Sequence, residues 1–317
     1  MQTSHFYSGI LLLYVLNHRK LFMLSIVIPI FNQDVRSLVY TLVKQCNKLD
    51  INFQVLCFDD GSDQKYRELN KELAFKINVN YTEMPENLGR SKIRNWLGKA
   101  AYYEYILFLD GDSTIKSKDF IKKYLDYLPT DAVVYGGRQY APKKPRAKKK
   151  VLHWKYGSKR ESLSANKRKK DPYLNFQSNN FLIPERIFKK YLFDEKIDGY
   201  GYEDLLYAFD LRKNEIAIKH IDNPVIHDGL EINTAFIKKT ENSINNLVAL
   251  YKNDKSLTTR LTRSYDKLND YGLLTSFEWT YRKMEEKIRK NMLSENPSIS
   301  LFNMWKLHLF IEKLNVK

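Results

Sequence analysis

Five short apolar runs, each parted from the next by a stretch with apolar residues at helical spacing, restrict this chain to an α/β fold. The runs are LSIVIPI (24–30), FQVLCF (53–58), INVNY (77–81), YILFL (105–109) and AVVYGG (132–137). They are too short for core helices, and their continuous apolar character suits strands buried on both faces. Helical spacing fills Val35 to Leu49, 63–75, Ser91 to Ala101 and 117–128. Strand–helix alternation of this kind predicts a mostly parallel sheet. Right-handed crossovers then gather the carboxyl ends of the strands on one edge, where open α/β sheets bind ligands. Polar clusters at Asn32, Asp60 and Asp110/Asp112 follow strand ends, so they are expected to meet in one cleft.

The flanks differ from this centre. Met23 reads as a fresh start, and residues 1–22 as an N-terminal extension outside the working part. Their apolar stretch, Gly9 to Leu16, lacks a basic leader and a small-residue cleavage site, so a signal peptide is not expected. Beyond residue 232 the chain turns Lys/Glu/Asn-rich with helical spacing, which predicts a helical C-terminal extension over 233–317 and leaves 23–232 as the catalytic domain. No apolar run approaches a membrane span. Two cysteines, Cys46 and Cys57, are too few for a disulfide scaffold and are expected as reduced core thiols.

The net charge is +16, but Lys143 to Lys170 hold 13 Lys or Arg against one acid, Glu161. Without a sustained periodicity, this segment is expected as a mobile basic loop, 140–172, in an otherwise nearly neutral protein. A solvated, self-repelling loop accounts for it, as does contact with an anionic membrane, a phosphate-bearing substrate or nucleic acid. Trp154 and Tyr156 within it suit either a membrane interface or the core.

Asp110-Gly111-Asp112 carries the most chemistry. A buried strand delivers two carboxylates where it ends, and a divalent cation relieves their repulsion. Hard oxygen ligands suit Mg²⁺ or Mn²⁺, either of which can also hold a diphosphate. As an isolated triplet it is equally a turn with a helix cap. Phe31 offers a ring for stacking on a nucleobase. Asn32 can bond that base or cap the next helix. Asp60 supplies an acceptor for a base edge or closes an Asx turn with Gly61. Gly89 permits close backbone approach, and Arg90 or Arg94 can reach ribose or diphosphate. Arg94 is equally suited to pairing with a surface acid.

Taken in order, SIVIPIFN, FDDGSD, ENLGRSKIRN, DGD and GYGYED resemble the inverting family-2 glycosyltransferases of the A-type nucleotide-sugar transferase fold, over about Leu24 to Gly229. The resemblance implies a metal-dependent, hexosyltransferase-like enzyme. It would move a sugar from a nucleoside-diphosphate donor, UDP-linked by the match at Phe31 and Asp60, to a sugar, lipid-linked or other hydroxyl acceptor in surface polysaccharide or glycan synthesis. It assigns donor binding to Pro29, Phe31, Asn32, Asp60, Asn87, Gly89, Arg90, Arg94 and Asp110. Asp112 becomes the principal metal ligand, with Asp110 on the ribose or on the metal through water. His227 completes the metal site, and an imidazole ligand favours manganese over magnesium. Asp204 becomes the general base and Glu203 a binder of sugar hydroxyls, with Tyr200, Tyr202 and Asn179 on the acceptor. Departures are Tyr202, where the family usually has a small residue, and Phe209-Asp210 themselves, about where the family often has an arginine.

Two rivals stand beside this reading. A sugar-phosphate nucleotidyltransferase needs a glycine-rich, Arg-containing loop after the first strand, where this chain has Pro29-Ile30-Phe31-Asn32. A polyanion- or nucleic-acid-binding protein would use the basic segment, but no recognition module accompanies it and the sheet-edge carboxylates would repel a nucleic-acid backbone. With cytosolic donors, the expected location is the cytoplasm, at the inner membrane face if the basic segment meets lipid.

Overall fold

The computed structural model describes residues 23–196, 201–255 and 258–315. The expected strands form and share one seven-stranded sheet. In chain order its strands are β1 (Met23–Ile30), β2 (Asn52–Asp59), β3 (Val79–Glu83), β4 (Tyr105–Leu109), β6 (Val133–Tyr135), β8 (Asn180–Pro184) and β9 (Ile218–His220), arranged β3-β2-β1-β4-β8-β6-β9. Pairing is parallel from β3 to β4 and between β6 and β9, while β8 runs antiparallel to both neighbours. The sheet is therefore mostly parallel, as expected. The fifth run does not continue the parallel set beside β4, because the later FLIP segment takes that place as β8.

Side-chain alternation along the strands builds a core on each face. From β1, Leu24, Ile26, Ile28 and Ile30 join one cluster and Val27 the other. The first face is covered by α1 (Arg36–Leu49) and, beyond α2 (Gln64–Asn70) and α3 (Arg90–Ala100), by α4 (Phe120–Leu125). On the second face lie α3, α7 (Glu185–Lys190) and α8 (Glu203–Lys213), packed around Phe108, Phe181, Phe188 and Phe193. Both cysteines are buried free thiols.

A second, small sheet was not legible in the sequence. It joins β5 (Ser113–Thr114), β10 (Val225–His227) and β7 (Arg138–Gln139), in the order β5-β10-β7. Its strands are too short to leave a periodic signal.

The basic segment is not a loop. It carries α5 (Val151–Arg160) and α6 (Ala165–Arg168). The helices α9 (Asn233–Asn253), α10 (Arg260–Asp270), α11 (Leu274–Leu293) and α12 (Ile299–Asn315) form the expected helical C-terminal region. Leu152 of α5 is buried in one cluster with Phe236, Ile288, Ile299 and Phe302 of those helices. Tyr156 packs on Phe236 and Phe302, and the Trp154 indole donates to the Ala141 carbonyl at 2.7 Å. Both aromatics thus serve internal packing. No helix among the described residues is long and apolar enough to cross a membrane. The N-terminal extension 1–22 lies outside the described residues.

Candidate active site

Strand β4 ends against the small sheet, and this junction assembles the acidic triplet. Gly111 lies so close to the Pro29 carbonyl that a Cβ would come within 3.1 Å of it. Antiparallel pairing sets His227 opposite Ser113, the residue after Asp112, and the Asp228 amide donates to the Asp112 carbonyl at 2.9 Å. The imidazole Nδ1 consequently lies 3.1 Å from Asp112 Oδ1. Both atoms are buried and have no further partner among the described residues; they are off the ideal hydrogen-bond angle, but against the cost of burial the imidazole still helps hold the Asp112 carboxyl well below its usual range. Gly229 closes the cradle, since a Cβ there would stand 2.4 Å from Asp112 Oδ2.

An orphaned carboxylate oxygen beside an orphaned imidazole nitrogen fits a divalent cation. Among the described residues no third His, Cys, Asp or Glu joins them. Two protein ligands suit Mg²⁺ or Mn²⁺ bound together with substrate phosphates. Asp110, expected on the ribose or on the metal through water, is held by two arginines. Its carboxylate lies between Arg94, at 2.6 Å, and Arg138, at 3.4 Å, two guanidiniums that would repel a cation. Arg94 is correspondingly not a surface residue; its side chain is 3% exposed.

At the opposite side of the edge, Phe31 is 54% exposed at the end of β1, so its ring is open for stacking and is no core aromatic. Asn32 neither caps the next helix nor faces outward with its carbonyl, which accepts from the Asp63 amide at 2.7 Å. Asp60 is buried. Its carboxylate accepts from the amides of Leu88, at 2.6 Å, and Gly89, at 3.2 Å, while Asn87 donates to its backbone carbonyl at 2.8 Å. Asp60 and Asn87 thus clamp the 87–89 loop instead of standing open to a base, and no Asx turn with Gly61 is needed to explain the aspartate. Burial raises the Asp60 pKa against those two amides. Gly89 matters for its backbone, not for close approach: φ is +84° and ψ 166°, a region reserved for glycine, with open space where a Cβ would be. That conformation starts α3 and presents Arg90 and Arg94 one turn apart.

The third piece arrives from α8. Glu203, its first residue, accepts from the Gly201 amide at 3.1 Å and lies 3.4 Å from Arg90. Asp204 follows, half-buried. Burial, then the charge of Glu203, lift its pKa to about 7, against the pull of the Leu205 amide, Arg94 and Arg138. The same two arginines hold Asp110, and Arg138 also bears on Asp112. Arg94 and Arg138 thus lie near both Asp110 and Asp204, and Arg90 joins the start of α3 to Glu203. Tyr202, at φ +71°, packs against Leu205 and Val248 clusters and lines a cavity beside Asp204. Asn179 is buried beneath the triplet, its carbonyl accepting from the Asp110 amide and its Nδ2 unpartnered among the described residues. Gly199 and Tyr200 lie outside the described residues.

Four site residues escaped sequence reasoning. Arg138 bridges Asp110 and Glu161, and Tyr140 donates to Glu161 at 2.6 Å. Burial works to raise the Glu161 pKa, and Arg138 and Tyr140 overcome it, holding the carboxyl below its usual range. The one visible signal was Glu161 as the lone acid among thirteen cations. His153 stacks on Phe236 at 4.4 Å and stands 5.4 Å from the His227 ring; burial drives its pKa down to about 3, so it stays neutral.

The family model described as Glycosyl transferase family 2 matches residues 25–192, more than half of the chain. The protein belongs to this family. It is 31% identical over 121 residues to a chondroitin synthase of Escherichia coli, a match covering 37% of this chain and 17% of that protein, so the chain spans well under two thirds of that curated relative. Among solved structures, the mannosyltransferase PcManGT from Pyrobaculum calidifontis, in complex with GDP-Man and Mn²⁺, superposes with a TM-score of 0.53 at 13% identity, covering 91% of this chain and 87% of that one. S. aureus TarS 1-349 gives 0.48 at 16% identity, covering 92% and 89%. The fold of this family-2 member is thus the expected A-type nucleotide-sugar transferase fold.

Proposed function

We propose that this glycosyltransferase transfers a sugar, with inversion, from a nucleoside-diphosphate donor to a hydroxyl acceptor, using Asp204 as general base and a divalent metal held by Asp112 and His227. The observation that supports this reading is the close Asp112–His227 pair at the end of β4, with Arg94 and Arg138 gripping Asp110 beside it and acting on the raised Asp204 carboxyl. A base poised near neutrality is suited to accept an acceptor hydroxyl's proton while that oxygen attacks the anomeric carbon. When bound, the metal supplies Lewis-acid stabilisation of the charge on the departing nucleotide. The chain's own residues do the remainder. Asp110, its charge balanced by two arginines, accepts from the ribose hydroxyls. Arg90 orients Glu203 toward the sugar. Phe31 stacks on the base, uracil by the resemblance, and the loop clamped by Asp60 shapes the base pocket. The structurally similar mannosyltransferase was solved with Mn²⁺, which agrees with manganese as the metal here.

The test follows nucleotide release from UDP-glucose, UDP-N-acetylglucosamine, UDP-glucuronate and GDP-mannose in the presence of Mn²⁺. One donor is expected to turn over, and Asp204→Asn to lower the rate by at least about 100-fold, the lower range for lost general-base catalysis, with donor binding retained. Undiminished turnover in that variant would remove Asp204 from the base role. Turnover of none of the four would contradict the transferase reading with these donors.

A further inference from the structure

Beside Asp204 the protein forms an open-sided cavity of about 640 Å³. That volume is in the range, roughly 300–1,000 Å³, of small-molecule sites. Its walls come from α5, α8, α10 and α12, so it exists only because the basic segment folds against the C-terminal helices. Three cations line it from three separate elements: Arg160 ends α5, Arg260 opens α10, and Lys306 lies within α12. Among the described residues, none of the three is ion-paired to a carboxylate. Arg260 reaches the Asn175 side-chain carbonyl at 3.5 Å, and Lys306 the Tyr156 hydroxyl at 3.2 Å. By contrast Arg263, one turn along α10, pairs with Asp171 at 3.3 Å. Of the two acids in the lining, Glu161 is already occupied by Arg138 and Tyr140, and Asp204 is the proposed base. A fourth cation, Arg168, is consumed by the carbonyls of Gly136, Leu163 and Ile221.

Neutral sugars are held by carboxylates and amides that accept from their hydroxyls. Three cations with no carboxylate partner among the described residues, in a cavity whose acids are Glu161, held by Arg138, and Asp204, instead create a field for a negative group. Resting on the transferase reading above, we propose that the acceptor is anionic, a sugar or polyol bearing a carboxylate or phosphate, which Arg160, Arg260 and Lys306 hold so that its free hydroxyl meets Asp204. The apolar wall, including Leu174, Leu205 and Met304, offers the sugar ring a face to pack on.

The test titrates methyl glucuronide, glucose 6-phosphate and neutral methyl glucoside into the full chain with UDP and Mn²⁺ present, read by saturation-transfer NMR and calorimetry. At least one anionic probe is expected to bind about tenfold or more tighter than the glucoside, and to weaken as NaCl is raised. The carboxylate and phosphate arms tell which group the site takes. Arg160→Ala/Arg260→Ala, both exposed positions, should lose about tenfold or more in that binding while UDP binding is unchanged; Lys306→Gln should weaken it too. Arg289→Ala, on α11 away from the cavity, should have no effect. Equal binding of the glucoside, no binding of either anion, or anion binding indifferent to the double variant would each overturn the proposal. UDP binding is read separately: its absence with anion binding intact would sink the donor site and leave the anion cavity standing.

Discussion

The protonation state of one carboxyl links stability to chemistry in this molecule. Asp204 has an ordinary pKa near 4 in an unfolded chain and about 7 here, so the folded state binds more protons between those values. Stability is therefore expected to fall as pH rises from about 4 to about 7. Asp204→Asn should relieve that loss, raising Tm relative to the parent at pH 8 and much less at pH 4, as read by calorimetry. The rate should run the other way. The base works only when deprotonated, so kcat/KM should climb through an apparent pKa near 7. Gly229 makes a second residue-scale prediction. A methyl there collides with the Asp112 carboxylate, so Gly229→Ala should abolish stabilisation by Mn²⁺ plus UDP in a thermal-shift assay while the metal-free protein keeps its fold.

Among the elements, those with a repeating pattern were readable and those fixed by partners were not. YILFL was placed to the residue as β4 because five consecutive apolar residues leave a buried strand as the natural solution. The basic segment forms helices instead of a loop because Leu152 and Tyr156 find their apolar partners, Phe236 and Phe302, in helices 80 or more residues later. A strand end pointed to Asp112, and the family resemblance pointed to His227, Glu203 and Asp204. Their electrostatic wiring through Arg138 and Glu161 was not legible, since it depends on strands of two and three residues pairing across 87 positions between Arg138 and Val225. The α5 helix turns this wiring into a stability prediction. Gly157 lies against the Tyr140 ring, where a Cβ would come within 2.0 Å. Gly157→Ala should cost about 1–3 kcal/mol by overpacking, measured by urea unfolding. It should also lower the rate by moving Tyr140 off Glu161.

Across the whole molecule, the large sheet ends at the Asp110-Gly111-Asp112 triplet, the small sheet carries His227 beside it, and the helices beyond residue 232 form the far wall of the cavity next to Asp204. Those helices also cover Leu152 and Tyr156, so we read 233–317 as part of the working structure. A chain ending at residue 232 should bind the dye ANS strongly and lose the cooperative melt of the full chain; a soluble, cooperatively folded truncation would show that the helices are dispensable. The most direct test of the central claim, that Asp112 and His227 hold a cation which in turn holds the donor diphosphate, is calorimetric titration of UDP with and without Mn²⁺. Binding should require the metal in the parent protein and vanish in Asp112→Ala with its fold intact. Tight UDP binding that is indifferent both to Mn²⁺ and to that substitution would contradict it.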